Sequence, residues 1–355
     1  MSEVLFLLKN RDNYSEFYST KNPLSSGLLN SSRFVCEMLN NEGIPSKVIS
    51  VADNNDIDRE VSKHKPRVVF IEALWVVPEK FEVLQRLHPT VQWVVRGHSE
   101  LPFLAQEGVA IDWITRYVQY ENVAFAANSP SSANDIRGII RTANPDWTEE
   151  DLYSKVLLLS NFYPTSKRIM PKKQAPKSDA RYYDVACFGA IRPLKNQLIQ
   201  AVAAIEYASL MGKVLRFHVN GGRCEQRGDN VLKNLRALFD ATGHELVEHS
   251  WMEHEDFMKL LPTMDVSLCV SFSETFCIVA ADSIAAGVPV VGSPEIEFLT
   301  SWAQANPTDS EDILLKLLKA NDWRLRLAMK VLNLRGLRHY CEGSKRRWLE
   351  YLDSV

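Results

Sequence analysis

The chain has 355 residues, of which 46% are hydrophobic, and its formal net charge is −3. This length and composition predict a globular protein with two cores, and the slightly negative charge argues against a protein that binds polyanions over its whole surface. No apolar run approaches the roughly 20 residues of a membrane span, so no membrane insertion is expected.

Short apolar segments alternate with amphipathic helical patterns over the first 161 residues. The six predicted strands are Val4–Lys9, Ser46–Val51, Arg67–Leu74, Val91–Gly97, Asn122–Asn128 and Lys155–Asn161. The five predicted helices are Leu28–Asn41, Ile57–His64, Glu79–His88, Ile111–Tyr120 and Ser132–Thr142. Strands that are apolar throughout and separated by helices indicate a parallel sheet with both faces covered, so the expected fold class is α/β.

The composition changes after this series. The stretch from Pro164 to Arg181 contains three prolines and several lysines, which predicts a basic hinge. A second series follows, with strands predicted at Val185–Ala190, Val214–Gly222, His244–Met252 and Val266–Phe272, and helices at Asn196–Met211, Val231–Ala241, Glu255–Leu261 and Asp312–Ala320. The predicted organisation is two doubly wound Rossmann-like domains, 1–164 and 182–322, joined by a hinge at 165–181 and followed by a basic helix at 323–355.

Six cysteines are scattered through the sequence without a CxxC pair. This pattern is typical of reduced, buried thiols, and it predicts a cytoplasmic protein without a zinc site. The apolar run Val4–Leu8 leads directly into Lys9 and Arg11, so it fits a first buried strand better than a signal peptide.

The segment Val270–Ser293 has the pattern of a buried strand, a turn, a helix, a glycine stop and a second buried strand. Glu274 lies on the turn, and Asp282 lies eight positions later, inside the predicted helix that begins at Phe276. Backbone N–H groups at a helix start attract phosphate, and a nearby carboxylate accepts hydrogen bonds from hydroxyls. The segment therefore predicts a ligand with both groups, such as a nucleotide sugar.

Together with FGAIRPLKNQ (Phe188–Gln197) and VVRGHSELPFL (Val94–Leu104), this segment resembles the retaining GT-B glycosyltransferases of family 4. The resemblance covers most of the chain. It implies a GT-B fold, in which two Rossmann-like domains face a central cleft and the last helix crosses back toward the N-terminal domain. It also implies a nucleoside-diphosphate sugar as donor, with a UDP-sugar expected, and no further cofactor.

In that family the paired carboxylates hold the donor. By this resemblance Glu274 contacts the sugar, the amides of Thr275, Phe276 and Cys277 face the diphosphate, and Asp282 binds the ribose. The family has a second glutamate where this chain has Asp282, so the reach of that carboxylate is shorter by one methylene group.

The resemblance assigns two cations to the leaving diphosphate. Lys195 matches the lysine of the family, while Ala190 stands where the family has arginine, so Arg192 is expected to substitute for it. Gly189 and Gly27 match glycines that lie close to the donor. Fixed cations stabilise the charge that develops on a leaving diphosphate, and the family retains anomeric configuration by attack on the front face.

His98 matches the strand-end histidine of the family, which approaches the donor sugar from the acceptor side. Arg96, Ser99 and Glu100 share its turn and are expected to contact the acceptor. The sequence Asp56-Ile57-Asp58 matches the DxD of metal-dependent glycosyltransferases, but its position at a helix start favours a capping role. We therefore predict no catalytic metal.

Two basic tracts, 165–181 and 324–347, predict a positive surface. The chain is also similar to glycosyltransferases of large DNA bacteriophages, which suggests a hydroxymethylated pyrimidine in duplex DNA as acceptor, in the host cytoplasm. A cell-surface glycan or a lipid-linked sugar is the competing acceptor, because apolar residues interleave with the basic ones in the last helix. An epimerase or a non-catalytic nucleotide-sugar-binding protein is the alternative of a different class, with Glu100 the one extra acid for epimerase chemistry.

Overall fold

Each of the two predicted series folds around its own parallel sheet. The computed structural model describes residues 3–10, 27–165 and 179–355, so most of the predicted hinge lies outside the described residues. The chain divides into two compact units, residues 1–164 with 341–355 and residues 165–340. Both units are doubly wound α/β structures, which confirms the predicted fold class.

The first unit contains a six-stranded parallel sheet with the order β2-β1-β3-β4-β5-β6. Its strands are β1 (Val4–Lys9), β2 (Ser46–Val51), β3 (Val68–Glu72), β4 (Gln92–Arg96), β5 (Val123–Ala127) and β6 (Val156–Leu158). Its helices are α1 (Gly27–Asn41), α2 (Asp56–His64), α3 (Lys80–Leu87), α4 (Leu101–Leu104), α5 (Ala110–Tyr117), α6 (Pro130–Ala143) and α7 (Glu149–Lys155). The central strands β1 and β3 are buried over nearly their whole length, as expected when helices cover both faces.

The second unit contains a five-stranded parallel sheet with the order β11-β10-β7-β8-β9. Its strands are β7 (Tyr182–Ala186), β8 (Val214–Val219), β9 (Glu245–Glu248), β10 (Val266–Cys269) and β11 (Val290–Gly292). The helices that follow are α8 (Gln197–Leu210), α9 (Gly228–Asp240), α10 (His254–Leu260), α11 (Ile278–Ala286), α12 (Ser310–Asn321) and α13 (Trp323–Ser354). The strand order reverses its direction between β7 and β10.

The long last helix contributes to the cores of both units. Its C-terminal part places Trp348 in the first unit, where the indole is fully buried and its ring centroid lies 4.9 Å from that of Phe70. The Trp348 indole N–H donates to the carbonyl of Ser160 at 2.8 Å, so this buried polar group is satisfied. None of the helices in the described ranges is long and apolar enough to cross a membrane.

Several elements differ from the sequence-based prediction, and β7 and α7 show why. Strand β7 covers Tyr182–Ala186 rather than Val185–Ala190, because Gly189 adopts a φ of 111° and the apolar residues before it already belong to a turn. Helix α7 was not predicted, although Thr148 and Asp151 form a capping box at its start.

Candidate functional site

The candidate site of the second unit lies where its strand order reverses. The loop after β7 carries Gly189, Arg192 and Lys195, and the loop after β10 carries Glu274. In doubly wound sheets, ligands bind at the carboxyl ends of the strands on either side of this reversal. The fold therefore brings two of the motifs singled out in the sequence to one place in the sheet, although Lys195 and Glu274 are 79 residues apart.

Lys195 and Glu274 form an ion pair in which the ammonium group donates to the carboxylate. The hydroxyl of Ser271 donates to the same carboxylate oxygen at 2.9 Å. Burial disfavours the charged form of Lys195, but the Glu274 carboxylate outweighs burial and raises the pKa of Lys195 above its usual value. Lys195 therefore remains a cation through the neutral pH range.

Two amide side chains that the sequence analysis did not identify hold Lys195 in place. Asn196 has a φ of 57° and donates from Nδ2 to the carbonyls of Val270 at 3.0 Å and Pro307 at 2.7 Å. Gln200 accepts from the N–H of Val270 at 2.8 Å and donates to the carbonyl of Lys195 at 2.8 Å. These bonds tie the start of α8 to the end of β10, so they fix the ammonium group next to the Glu274 loop.

Arg192 and Gly189 line the same loop. The guanidinium of Arg192 lies 3.5 Å from a carboxylate oxygen of Glu225, and the N–H of Gly189 donates to Oδ1 of Asn220 at 2.8 Å. A Cβ atom placed on Gly189 would lie 4.0 Å from Cε of Lys195, so this glycine faces the lysine. Arg192 and Gly189 thus lie in the site, and the structure adds Asn220 and Glu225 as the groups that hold them.

Gly228 packs against the backbone of the loop that carries Arg192. A Cβ atom at Gly228 would lie 1.9 Å from the carbonyl oxygen of Ile191, the residue before Arg192. We expect Gly228→Ala to lower the free energy of unfolding by about 1–3 kcal/mol, because backbone atoms must move. Gly138→Ala is the matched control: nothing lies within 4 Å of its Cβ position inside α6, so it should stabilise by about 0.5–1 kcal/mol. Denaturant unfolding of both variants measures the difference, and equal effects would contradict it.

The turn after Glu274 differs from the prediction in its length. Helix α11 begins at Ile278 rather than at Phe276, and Cys277 precedes it with a φ of 39°, in the left-handed region. Thr275 and Phe276 are buried, and the ring of Phe276 packs against Tyr340 with a centroid distance of 5.4 Å. The side chain of Phe276 therefore anchors the turn in the core. Residues 275–277 form the turn that connects Glu274 to α11.

Asp282 has a partner that the sequence analysis did not identify. A carboxylate oxygen of Asp282 lies 2.8 Å from Nε2 of His254, the first residue of α10. The hydrogen bond to Asp282 raises the pKa of His254 above its usual value, although burial opposes this. The carboxylate expected to bind ribose is thus already bonded to an imidazole.

In the first unit, His98 belongs to a buried charged cluster. Its Nε2 is hydrogen-bonded to Glu72 at the end of β3, and Arg96 donates to the two carboxylate oxygens of Glu72 at 3.0 and 3.2 Å. The side chains of Arg96 and Glu72 are 0% exposed, whereas His98 is partly exposed. The guanidinium of Arg96 is therefore enclosed by the fold, and its contact with the acceptor stays a prediction.

Burial and the charge of Arg96 together set the protonation of this cluster. Burial first, and the Arg96 charge second, hold the pKa of His98 below its usual value. Burial alone would raise the pKa of Glu72, but the charge of Arg96 holds it below its usual value. At neutral pH the cluster is a buried Glu–Arg ion pair that orients a neutral histidine.

The other residues predicted for the first unit differ in exposure. Glu100 is buried and accepts a hydrogen bond from the Ser129 hydroxyl, so it braces the start of α6. Ser99 is half-exposed, and its carbonyl accepts from the Ser132 hydroxyl at 3.3 Å. Gly27 is the first residue of α1. Of these, Ser99 is the residue whose exposure suits an acceptor contact.

Comparisons with known proteins bear on both units. Residues 170–307 match the family model for glycosyl transferases group 1, a range that contains the Lys195 and Glu274 loops. Anabaena HepE in complex with UDP and glucose is similar in structure, with a TM-score of 0.67 and 13% identity over 99% of this chain and 100% of that one. No curated protein matches the sequence.

Two further solved structures are similar over nearly their whole length. The sucrose-phosphate synthase of Thermosynechococcus elongatus has a TM-score of 0.66 and 12% identity over 99% of this chain and 98% of that one. The E. coli trehalose-6-phosphate structure bound with UDP-2-fluoro glucose has a TM-score of 0.72 and 10% identity over 99% of both chains. These likenesses confirm the predicted GT-B fold. The family match and the fold identify a glycosyltransferase.

The Asp56-Ile57-Asp58 motif of this glycosyltransferase serves helix α2. A carboxylate oxygen of Asp56 accepts from the N–H of Ala52 at 2.8 Å, and Asp58 bonds to the imidazole of His88 at 2.8 Å. Both acids lie in the first turn of the helix, where negative charge is favourable. Among the described residues, no group of three or more His, Cys, Asp or Glu side chains has the arrangement of a metal site.

The basic tract 324–347 of the glycosyltransferase is less exposed than its sequence suggested. Arg326 donates to the carbonyl of Asp265 at 2.8 Å, Lys345 pairs with Glu42, and burial lowers the pKa of Lys330 to about 8. The arginines that the tract presents to solvent are Arg324, Arg335 and Arg346. Residues 166–178, which hold the lysines of the other tract, lie outside the described residues.

Proposed function

We propose that this glycosyltransferase moves a sugar from a nucleoside-diphosphate sugar, a UDP-sugar, to an acceptor hydroxyl with retention of anomeric configuration and without a metal. The observation that carries the donor site is the Lys195–Glu274 pair at the strand-order reversal of the second unit. Support for the nucleotide comes from similar structures that contain UDP or UDP-glucose, including those of Anabaena HepE.

In the proposed reaction, the bond between the anomeric carbon and the diphosphate oxygen breaks while the acceptor oxygen bonds to the same face of that carbon. The acceptor proton passes to the departing diphosphate oxygen. Lys195 and Arg192 stabilise the negative charge that develops there. This electrostatic stabilisation is the main contribution of the protein to the rate of the reaction. Glu274 accepts hydrogen bonds from donor hydroxyls, and the turn amides at 275–277 contact the diphosphate.

We propose that His98 and Ser99 contact the acceptor. Glu72 holds the imidazole of His98 in one orientation, as a carboxylate commonly does for a functional histidine. Because Nε2–H donates to Glu72, Nδ1 of the neutral histidine accepts a hydrogen bond from a hydroxyl without adding charge. Its proposed task is therefore to position a hydroxyl group rather than to neutralise the diphosphate.

The proposed acceptor is a hydroxymethylated pyrimidine in duplex DNA. The exposed cations Arg324, Arg335 and Arg346 support contacts with phosphates, and an enzyme of this kind must extract the base from the duplex. One observation favours a glycan or lipid-linked acceptor instead. Trp323 is 76% exposed beside Arg324, an aromatic and basic pair that is typical of a surface that rests on a membrane.

The test is a panel of nucleoside-diphosphate sugars, with mass detection of the released nucleotide and of the product. We expect UDP to be released, the release to rise with hydroxymethylated duplex DNA, and DNA binding to weaken steeply with salt. Release that responds to a glycan or lipid acceptor instead would favour the second acceptor. A changed sugar that remains attached to its nucleotide would identify an epimerase, and no conversion of any donor would contradict a transferase.

A carbon-13-labelled donor reports the anomeric configuration of the product by NMR. An α-linked donor should give an α-linked product. A β-linked product would contradict retention but would leave the donor site intact.

A further inference from the structure

We propose that His254, held in place by Asp282, is the side chain that recognises the ribose of the donor. This inference rests on the proposed function and assigns the nucleoside end of the site to a residue of α10. It departs from the expectation that the Asp282 carboxylate itself binds the ribose.

Exposure separates the two residues. The side chain of Asp282 is 3% exposed, whereas that of His254 is 28% exposed. The bond between Nε2 of His254 and Asp282, at 2.8 Å, points the carboxylate into the protein and leaves part of the imidazole at the surface. A ribose that approaches this end of the site therefore meets His254 before it meets Asp282.

The position of the pair fits the nucleoside end of the donor. Asp282 is the fifth residue of α11, so it lies roughly 6 Å along the axis from the helix start, at about 1.5 Å per residue. The helix start follows the Glu274 turn, where the sugar and the diphosphate are proposed to bind. One helical turn further along is the place at which the next part of the donor, the ribose, is expected.

The chemistry of the pair also suits a ribose. When Nε2–H donates to Asp282, Nδ1 of His254 accepts a hydrogen bond from a ribose hydroxyl if the ring is neutral and donates one if it is protonated, while a carboxylate only accepts. By accepting a hydrogen bond from Nε2, Asp282 fixes the tautomer and the orientation of the ring. The aspartate side chain is one methylene shorter than the glutamate of the resembling family, and its carboxylate is bonded to the imidazole of His254. Asp282 is thus a positioning residue for His254.

Calorimetric titration of the full-length protein with UDP and with 2′-deoxy-UDP tests the assignment. We expect the wild-type protein to bind UDP about tenfold more tightly than 2′-deoxy-UDP, which corresponds to one hydrogen bond. In His254→Ala, the affinity for UDP should fall about tenfold, to the level of 2′-deoxy-UDP, and the affinity for 2′-deoxy-UDP should remain unchanged. Asp282→Asn should reduce the discrimination, because the imidazole loses its fixed orientation.

His339→Ala is the matched control, since His339 is an exposed histidine on α13 of the same unit, and it should keep the wild-type ratio. His254→Gln, which retains a donor and an acceptor, should restore part of the discrimination, and thermal unfolding shows that each variant is folded. Full discrimination in folded His254→Ala, or none in a wild-type protein that binds UDP, would overturn the assignment. A wild-type protein that does not bind UDP would overturn the proposed donor itself.

Discussion

Lys195→Ala is expected to lower turnover about 100-fold or more, the loss seen when a single group that stabilises developing charge is removed. The reason is geometric as well as electrostatic. The ammonium group is held beside Glu274 by the Asn196 and Gln200 bonds, so its position does not depend on a bound donor. A neutral methyl group at this position cannot stabilise a departing diphosphate.

The measurement is turnover at saturating UDP-sugar, followed by the release of UDP. Lys319→Ala provides the control, because Lys319 is an exposed lysine on α12 and its loss should leave turnover unchanged. Thermal unfolding separates catalysis from folding, since Lys195→Ala also removes the partner of a largely buried carboxylate. A folded Lys195→Ala variant with wild-type turnover would contradict the role of Lys195 in the reaction.

The second large effect concerns stability. We expect Arg96→Met to lower the free energy of unfolding by about 3–5 kcal/mol, because it leaves the Glu72 carboxylate buried without its cation. Urea unfolding of the variant measures the loss. Arg141→Met is the control: Arg141 forms an exposed ion pair with Glu149, and such pairs contribute little.

The double variant Glu72→Met/Arg96→Met sharpens this test. Replacing a buried ion pair by apolar side chains of similar size is often close to neutral, so the double variant should be more stable than Arg96→Met alone. If both variants lose the same free energy, the packing of the two side chains, and not their charge, accounts for the loss.

The same cluster predicts how stability depends on pH. The pKa of Glu72 is lowered in the folded protein, so its contribution is present above the ordinary pKa of glutamate and is lost as pH falls through the lowered value. The pKa of His98 is also lowered, so the unfolded chain takes up a proton first as pH falls below about 6.5. Both shifts lower the free energy of unfolding as pH falls. Acid should therefore destabilise the wild-type protein more than the Glu72→Met/Arg96→Met variant.

The strands show which parts of the fold can be predicted from sequence. The bounds of β1 and β2 agree with the prediction. Strand β1 is apolar and buried up to Lys9, as expected of a central parallel strand, whereas β2 lies at the edge of the sheet and exposes Lys47 and Ser50. The prediction for β7 was wrong because Cys187–Ala190 is equally apolar but turns at Gly189. Apolar character predicts burial, and it does not distinguish a strand from the buried turn that follows it.

The candidate site shows a different limit. Lys195, Glu274 and His98 carry motifs that are local in sequence, whereas the contacts that position them join distant parts of the chain. Glu72 lies 26 residues before His98, and Gln200 lies 70 residues before Val270. Such partners are set by strand order and have no local pattern. Helix α7 is the opposite case, since the Thr148–Asp151 capping box was visible in the sequence.

The place of Trp348 in the first unit has a consequence for the synthesis of the protein. Strands β1 and β3 leave the ribosome early, but the indole that packs against Phe6 and Phe70 is translated only after the whole of the second unit, residues 165–340. Until then the nascent unit exposes part of its aromatic core, and the carbonyl of Ser160 lacks the Trp348 N–H. The N-terminal half of this glycosyltransferase therefore completes its folding after the C-terminal half has been made.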